Sequence, residues 1–156
     1  NSRARMKKKK VLLFGTFDVL HPGHAALFKQ AHRFGRDITV ILARDRTIKE
    51  IKKHAPLYKE RARKRTLEQS GWVDHVILGS LHDKYKAIIK IKPDVICFGY
   101  DQRYFVAPLK KKIKLFKLST RIVRLKSFKP HLYKSAILTR YVRHQIREGA
   151  RRGSKT

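Results

Sequence analysis

Five short runs of branched apolar residues recur along this chain: VLLFG at 11–15, ITVILAR at 38–44, DHVILG at 74–79, DVICFG at 94–99 and RIVRLK at 121–126. Runs of this kind are what strands buried on both faces require. The stretches between them keep a different period. HAALFKQAHRFG repeats apolar residues at helical spacing and predicts a helix capped by Gly35. KERARKRTLEQSG predicts one ending at Gly71, and LHDKYKAIIKIK one that stops before Pro93. A strand followed by a helical segment, three times before the fourth strand and again after the fifth, is the pattern of a parallel α/β sheet with right-handed crossovers. After the last strand, SFKPHLYK reads as a loop. SAILTRYVRHQIRE then sets Ile137, Leu138, Tyr141, Val142 and Ile146 on one stripe, which predicts a C-terminal amphipathic helix.

With 156 residues, 42% of them apolar, the chain suits one globular domain, placed at residues 10–148. A basic extension at 1–9 and a basic tail at 149–156 flank it. No run approaches membrane-spanning length and no signal-peptide pattern is present, so a cytoplasmic protein without a membrane partner is expected. The single cysteine, Cys97, excludes an internal disulfide; its place in an apolar strand predicts a small buried hydrophobe rather than a reactive thiol. The charge is unusual: 40 Lys plus Arg against 11 Asp plus Glu give +29. From Gln102 to Arg147 there are 14 Lys or Arg and no acid. That imbalance speaks of anionic partners, not of fold.

The stretch GTFDVLHPGH (15–24) stands where the first strand hands over to the first helix. Ligands of open α/β sheets bind outside the carboxyl ends of the strands, and a helix N-terminus with unpaired amides welcomes an anion. Gly15 would let a ligand approach the backbone, and Pro22 suits a first helical turn. Two imidazoles at that point, His21 and His24, supply donors toward a phosphate. A zinc site is the alternative, with Asp18 its only candidate third ligand; a helix cap is the bland one.

GTFDVLHPGH resembles the signature of the cytidylyltransferase-like nucleotidyltransferases, small Rossmann-like enzymes that move a nucleotidyl group from an NTP to a phosphorylated acceptor. The likeness spans about Lys10 to Thr139, through ARD at 43–45, VDHVILG at 73–79 and KPDVICFGYDQ at 92–102. GYDQ, and Pro22 in place of a tryptophan, look more like the archaeal-type FAD synthases, which adenylylate FMN, than like glycerol-3-phosphate cytidylyltransferases. The resemblance implies a three-layer fold with a five-stranded parallel sheet, Mg²⁺ arriving with the triphosphate, and a homodimer. It implies that His21, His24 and Lys52 do the catalytic work. It assigns nucleotide binding to Gly15, Thr16, Phe17, Asp18, Arg63, Gly99, Tyr100, Asp101 and Ser135. Arg63 would steady either the triphosphate or the closure of its own helix. YKSAI keeps one hydroxyl where the family has two or three, and KKHAP lacks the usual glycine near Lys52.

Transfer of AMP from ATP to FMN is thus the expected reaction, with a CTP-dependent glycerol-3-phosphate cytidylyltransferase as the alternative within the class. From another class, a nucleic-acid- or ribosome-binding protein on the same fold would use the acid-free C-terminal third. At +29, salt-sensitive, non-specific nucleic-acid binding is expected in either case.

Overall fold

The computed structural model describes residues 8–83, 85–99, 102 and 106–126. In chain order they form β1 (Lys10–Gly15), α1 (Pro22–His32), β2 (Asp37–Leu42), α2 (Asp45–Lys52), α3 (Glu60–Gln69), β3 (His75–Leu78), α4 (Lys86–Ile91), β4 (Val95–Phe98), α5 (Val106–Leu115) and β5 (Arg121–Arg124). The sheet order is β3-β2-β1-β4-β5, and every pair is parallel. This is the expected Rossmann-like α/β architecture. The C-terminal amphipathic helix, with Ser135, lies outside the described residues, as do Tyr100 and Asp101. No helix among the described residues is long and apolar enough to cross a membrane.

Three layers follow from the pleat, which sends successive side chains to opposite faces. Val11 and Leu13 join Phe28 and Ala31 of α1 and Leu67 of α3 on one face. Leu12 joins Ile88 of α4 and Leu109 and Ile113 of α5 on the other. Burying each such large side chain stabilises by roughly 1.5–3 kcal/mol. Cys97 has no exposure, and burial pushes its thiol up to about 12, against the opposing pull of Arg121. It is the inert hydrophobe its sequence context suggests.

Some local expectations are corrected. The second strand stops at Leu42, not Arg44, because Arg44 caps α2 with extended backbone. Helices α2 and α5 are absent from the sequence reading. Only Ile48 of α2 is buried, and α5 carries two buried residues among four lysines, so neither shows a strong apolar stripe. Gly35 does not cap α1; Arg33 does, in ordinary helical conformation. Gly35 is needed for another reason: a Cβ there would stand 2.4 Å from the carbonyl oxygen of Lys9. Gly71, at φ 74° just beyond α3, does follow a helix end as expected.

Candidate active site

Strand order reverses at β1, whose neighbours are β2 and β4. A crevice outside the carboxyl ends of β1 and β4 is where such a sheet takes its ligand. Leu13 is paired with Cys97, so two residues on Gly15 and Gly99 come level at that edge.

The first turn of α1 is built from the signature itself. Pro22 occupies the first helical position, where a missing N–H costs nothing. His21 is the N-cap, and its Nδ1 accepts from the Gly23 amide at 3.0 Å. The His24 and Ala25 amides donate to the His21 carbonyl at 2.9 and 3.3 Å. The amides of Gly23, His24 and Ala25 are therefore not free for an anion, contrary to expectation: the preceding histidine takes them all. What remains for a ligand is the dipole and the two rings. Because His21 Nδ1 is an acceptor, its neutral ring carries the proton on Nε2.

The rings of His21 and His24 stack with centroids 3.8 Å apart. His24 meets the edge of Phe17 at 5.0 Å. Its Nδ1 is buried and without a hydrogen-bond partner among the described residues. Burial lowers both histidines; for His24 the neighbouring His21 adds to it, and the pKa falls to about 3. Both rings are neutral at neutral pH. The sign for stability follows. Below pH 6.5 an unfolded chain protonates His24 while the folded one does not, so acid destabilises the fold. The expected cost is about 1.4 kcal/mol per pH unit, or about 2 kcal/mol by pH 5. Thermal melts should show wild type losing stability faster than His24→Gln between pH 6.5 and 5, and parallel curves would contradict the burial of a neutral ring.

Gly15 makes room for Phe17: a Cβ on Gly15 would lie 2.5 Å from that ring. Phe17 sits at φ 45° with 6% exposure, its ring packed on Phe28 at 5.2 Å. Its side chain is core, which leaves only its backbone for phosphate. Asp18 also turns inward. Its two carboxylate oxygens accept from the amides of Leu57 and Tyr58 at 2.6 and 2.8 Å. It ties the signature to the loop after α2 and has no lone oxygen waiting for zinc or nucleotide. Lys52 ends α2, exposed, just before that tethered loop.

Arg63 is 1% exposed and makes four hydrogen bonds to protein. It donates to the carbonyls of Tyr58 (2.9 Å), Thr16 (2.8 Å) and Ala43 (2.9 Å) and to the Asp45 carboxylate (2.8 Å). Of its two expected roles, contact with the triphosphate is not what this geometry offers; bracing its own helix against the site is. Around it the helix starts cap each other. The Glu60 amide donates to Asp45 at 3.1 Å, and the Asp45 amide to Glu60 at 3.4 Å.

The cytidylyltransferase-like family matches residues 12–145. The chain belongs to that family. It is 37% identical over 118 residues to the FAD synthase of Archaeoglobus profundus, covering 76% of this chain and 75% of that protein. With the FAD synthase of Thermoplasma acidophilum it shares 31% over 139 residues, covering 89% and 97%. Among solved structures, a lipopolysaccharide core biosynthesis protein from Thermoplasma volcanium superposes with a TM-score of 0.73 at 33% identity, over 79% of this chain and all of that one.

The resemblance read from GTFDVLHPGH is thereby borne out, and the chain is an enzyme of the nucleotidyltransferase class. Sequence reasoning gave no role to Gln102 or Arg124. The Gln102 side chain accepts from the Gly99 amide and donates to the Phe14 carbonyl, both at 2.8 Å, so it bridges the ends of β4 and β1. Arg124 holds the carbonyls of Gly99 and Gln102. The fourth letter of GYDQ was the available signal, and its use is to set where Gly99 stands.

Proposed function

We propose that this enzyme transfers AMP from ATP to FMN, releasing FAD and pyrophosphate. The observation that carries the reading is the stacked His21–His24 pair at the N-terminus of α1, at the sheet's switch point, in a chain whose curated relatives are FAD synthases. A phosphate oxygen of FMN attacks the α-phosphorus in line, the bond to pyrophosphate breaks, and no protein nucleophile is required. Charge builds on the phosphoryl oxygens as this happens. His21 meets it with Nε2–H, its tautomer fixed by the Gly23 amide. The His24 ring, stacked on His21 and short of a partner at Nδ1, completes the donor pair. The anionic triphosphate raises the affinity of the His24 ring for a proton, while His21, whose Nδ1 accepts from the Gly23 amide, donates as the neutral ring.

Lys52 binds a phosphate of the nucleotide or of FMN, and the loop fastened by Asp18 fixes its approach. Thr16 and the backbone of Gly15 and Phe17 flank the phosphates. Gly99, set by Gln102, borders the nucleoside, with Tyr100, Asp101 and Ser135 assigned by resemblance alone. No group of three acids or histidines among the described residues is arranged to hold a metal. Both oxygens of Asp18 and both of Asp45 are already hydrogen-bonded. These residues fit Mg²⁺ that arrives on the triphosphate, held by phosphate and water, where it would neutralise phosphate charge. Resemblance further supports a homodimer in the cytoplasm.

A substrate panel tests the reading. ATP and CTP would each be offered with FMN, glycerol 3-phosphate and other phosphorylated acceptors in Mg²⁺, scoring pyrophosphate release and FAD formation. ATP with FMN should be fastest and should yield FAD in step with pyrophosphate. Faster release from CTP with glycerol 3-phosphate would replace the proposal with its cytidylyl alternative.

A further inference from the structure

The helices covering the second face of the sheet carry lysine and no acid. Lys86 and Lys90 lie on α4; Lys110, Lys111, Lys112 and Lys114 lie on α5. All but Lys112 are exposed. Lys112 sits over the rings of Tyr85 and Phe116, 5.5 and 5.8 Å from their centroids, and so joins the start of α4 to the end of α5. The ion pairs among the described residues involve Arg44, Arg46, Arg63 and His75, and none of these lysines. Asp83 and Asp94, which flank α4, are turned to the amides of Tyr85 and Lys10. From Gln102 to Arg147 the chain has no acid at all. At the end of α5, Leu115 is 69% exposed and Phe116 44%.

Lysines three and four apart on one helix, such as Lys110 and Lys114 or Lys86 and Lys90, repel each other. A polyanion laid across both helices would turn that repulsion into attraction, and an exposed ring among the lysines offers a base something to stack on. We propose that the α4–α5 face binds single-stranded nucleic acid, with phosphates on its lysines and a base against Phe116. Duplex is the poorer fit, because a stacking ring needs an unpaired base. An anionic membrane is poorer still. The apolar stripe of α5, Leu109 and Ile113, is turned into the sheet at 0% and 8% exposure, which leaves only Leu115 and Phe116 at its end to insert. The proposal stands on charge and exposure away from the histidines, so it does not depend on the FMN reading.

The test is fluorescence anisotropy of a labelled oligouridylate of about a dozen nucleotides, titrated with the full chain across a salt series. One variant combines Lys86→Gln, Lys110→Gln, Lys111→Gln and Lys114→Gln. A charge-matched control combines Lys29→Gln, Arg33→Gln, Arg36→Gln and Arg65→Gln, on or beside the helices of the opposite face. Nucleotidyl transfer reports that each variant is folded. The first variant should bind about 10-fold or more weakly at low salt and flatten the log–log salt slope by about 3, while the control changes both far less. Phe116→Ala should weaken binding ~5-fold without altering the slope. Equal losses in the two quadruple variants would mean bulk charge and would overturn the assignment of a face. Unchanged affinity in Phe116→Ala would overturn stacking, and tighter binding to phosphatidylserine vesicles than to the oligonucleotide would overturn the partner.

Discussion

Arg63→Ala is expected to destabilise the fold by about 3–5 kcal/mol, because it empties a buried position and leaves part-buried acceptors on three separate segments without their donor at once. The guanidinium spends four hydrogen bonds on the signature loop (Thr16), the junction of β2 and α2 (Ala43 and Asp45) and the loop before α3 (Tyr58). Its own side chain is wholly buried, while Asp45 keeps 33% exposure. Water can therefore rescue part of the carboxylate, but no one group replaces the fork that joins the three part-buried carbonyls to it. For a chain of this size the loss corresponds to a fall in melting temperature of roughly 10 °C. Arg63→Lys should recover only a minor part, since one ammonium cannot copy a planar fork aimed at acceptors on three segments. A calorimetric melting temperature within 2–3 °C of wild type for Arg63→Ala, less than about 1 kcal/mol, would show that these bonds are not what holds the segments together.

The same residue marks what could and could not be read in advance. Runs such as VLLFG and DVICFG announce strands because burial on both faces leaves no polar positions to blur the pattern. The meaning of HPGH is equally local: Pro22 and the His21 cap act within three residues of one another. The sequence assigns Asp18 to the nucleotide and leaves Arg63 between the triphosphate and its own helix, because their partners are far away in the chain. Asp18 reaches residues 39 and 40 positions on, and Arg63 reaches back 47 positions to Thr16. No spacing rule carries over such separations. The second reason for Gly15 is hidden in the same way: the left-handed backbone of Phe17 swings that ring into the space where a Cβ would stand. Helix α5 was hidden by the lysines that give its outer face its character.

The larger effect on activity is expected at the histidines. His24→Ala removes a ring that is neutral and buried, with pKa about 3, and whose value to catalysis appears only when charge develops at the α-phosphate. Losing one well-placed donor from such a site lowers kcat by ~10²–10³, while ground-state affinity for the nucleotide changes little. His21→Ala should cost a similar factor in rate. It also deprives the Gly23 amide of its cap, worth about 1 kcal/mol of stability. His21→Asn would restore much of the cap without the imidazole, so stability should return and turnover should not.

The most direct measurement is kcat for FAD formation from ATP and FMN in wild type and His24→Ala, beside the dissociation constant of ATP for each. A fall in kcat of at least ~10²-fold with ATP affinity held within a few-fold is the predicted result. Equal turnover in the two proteins, or a loss carried wholly by weaker ATP binding, would contradict a catalytic role for the histidine pair.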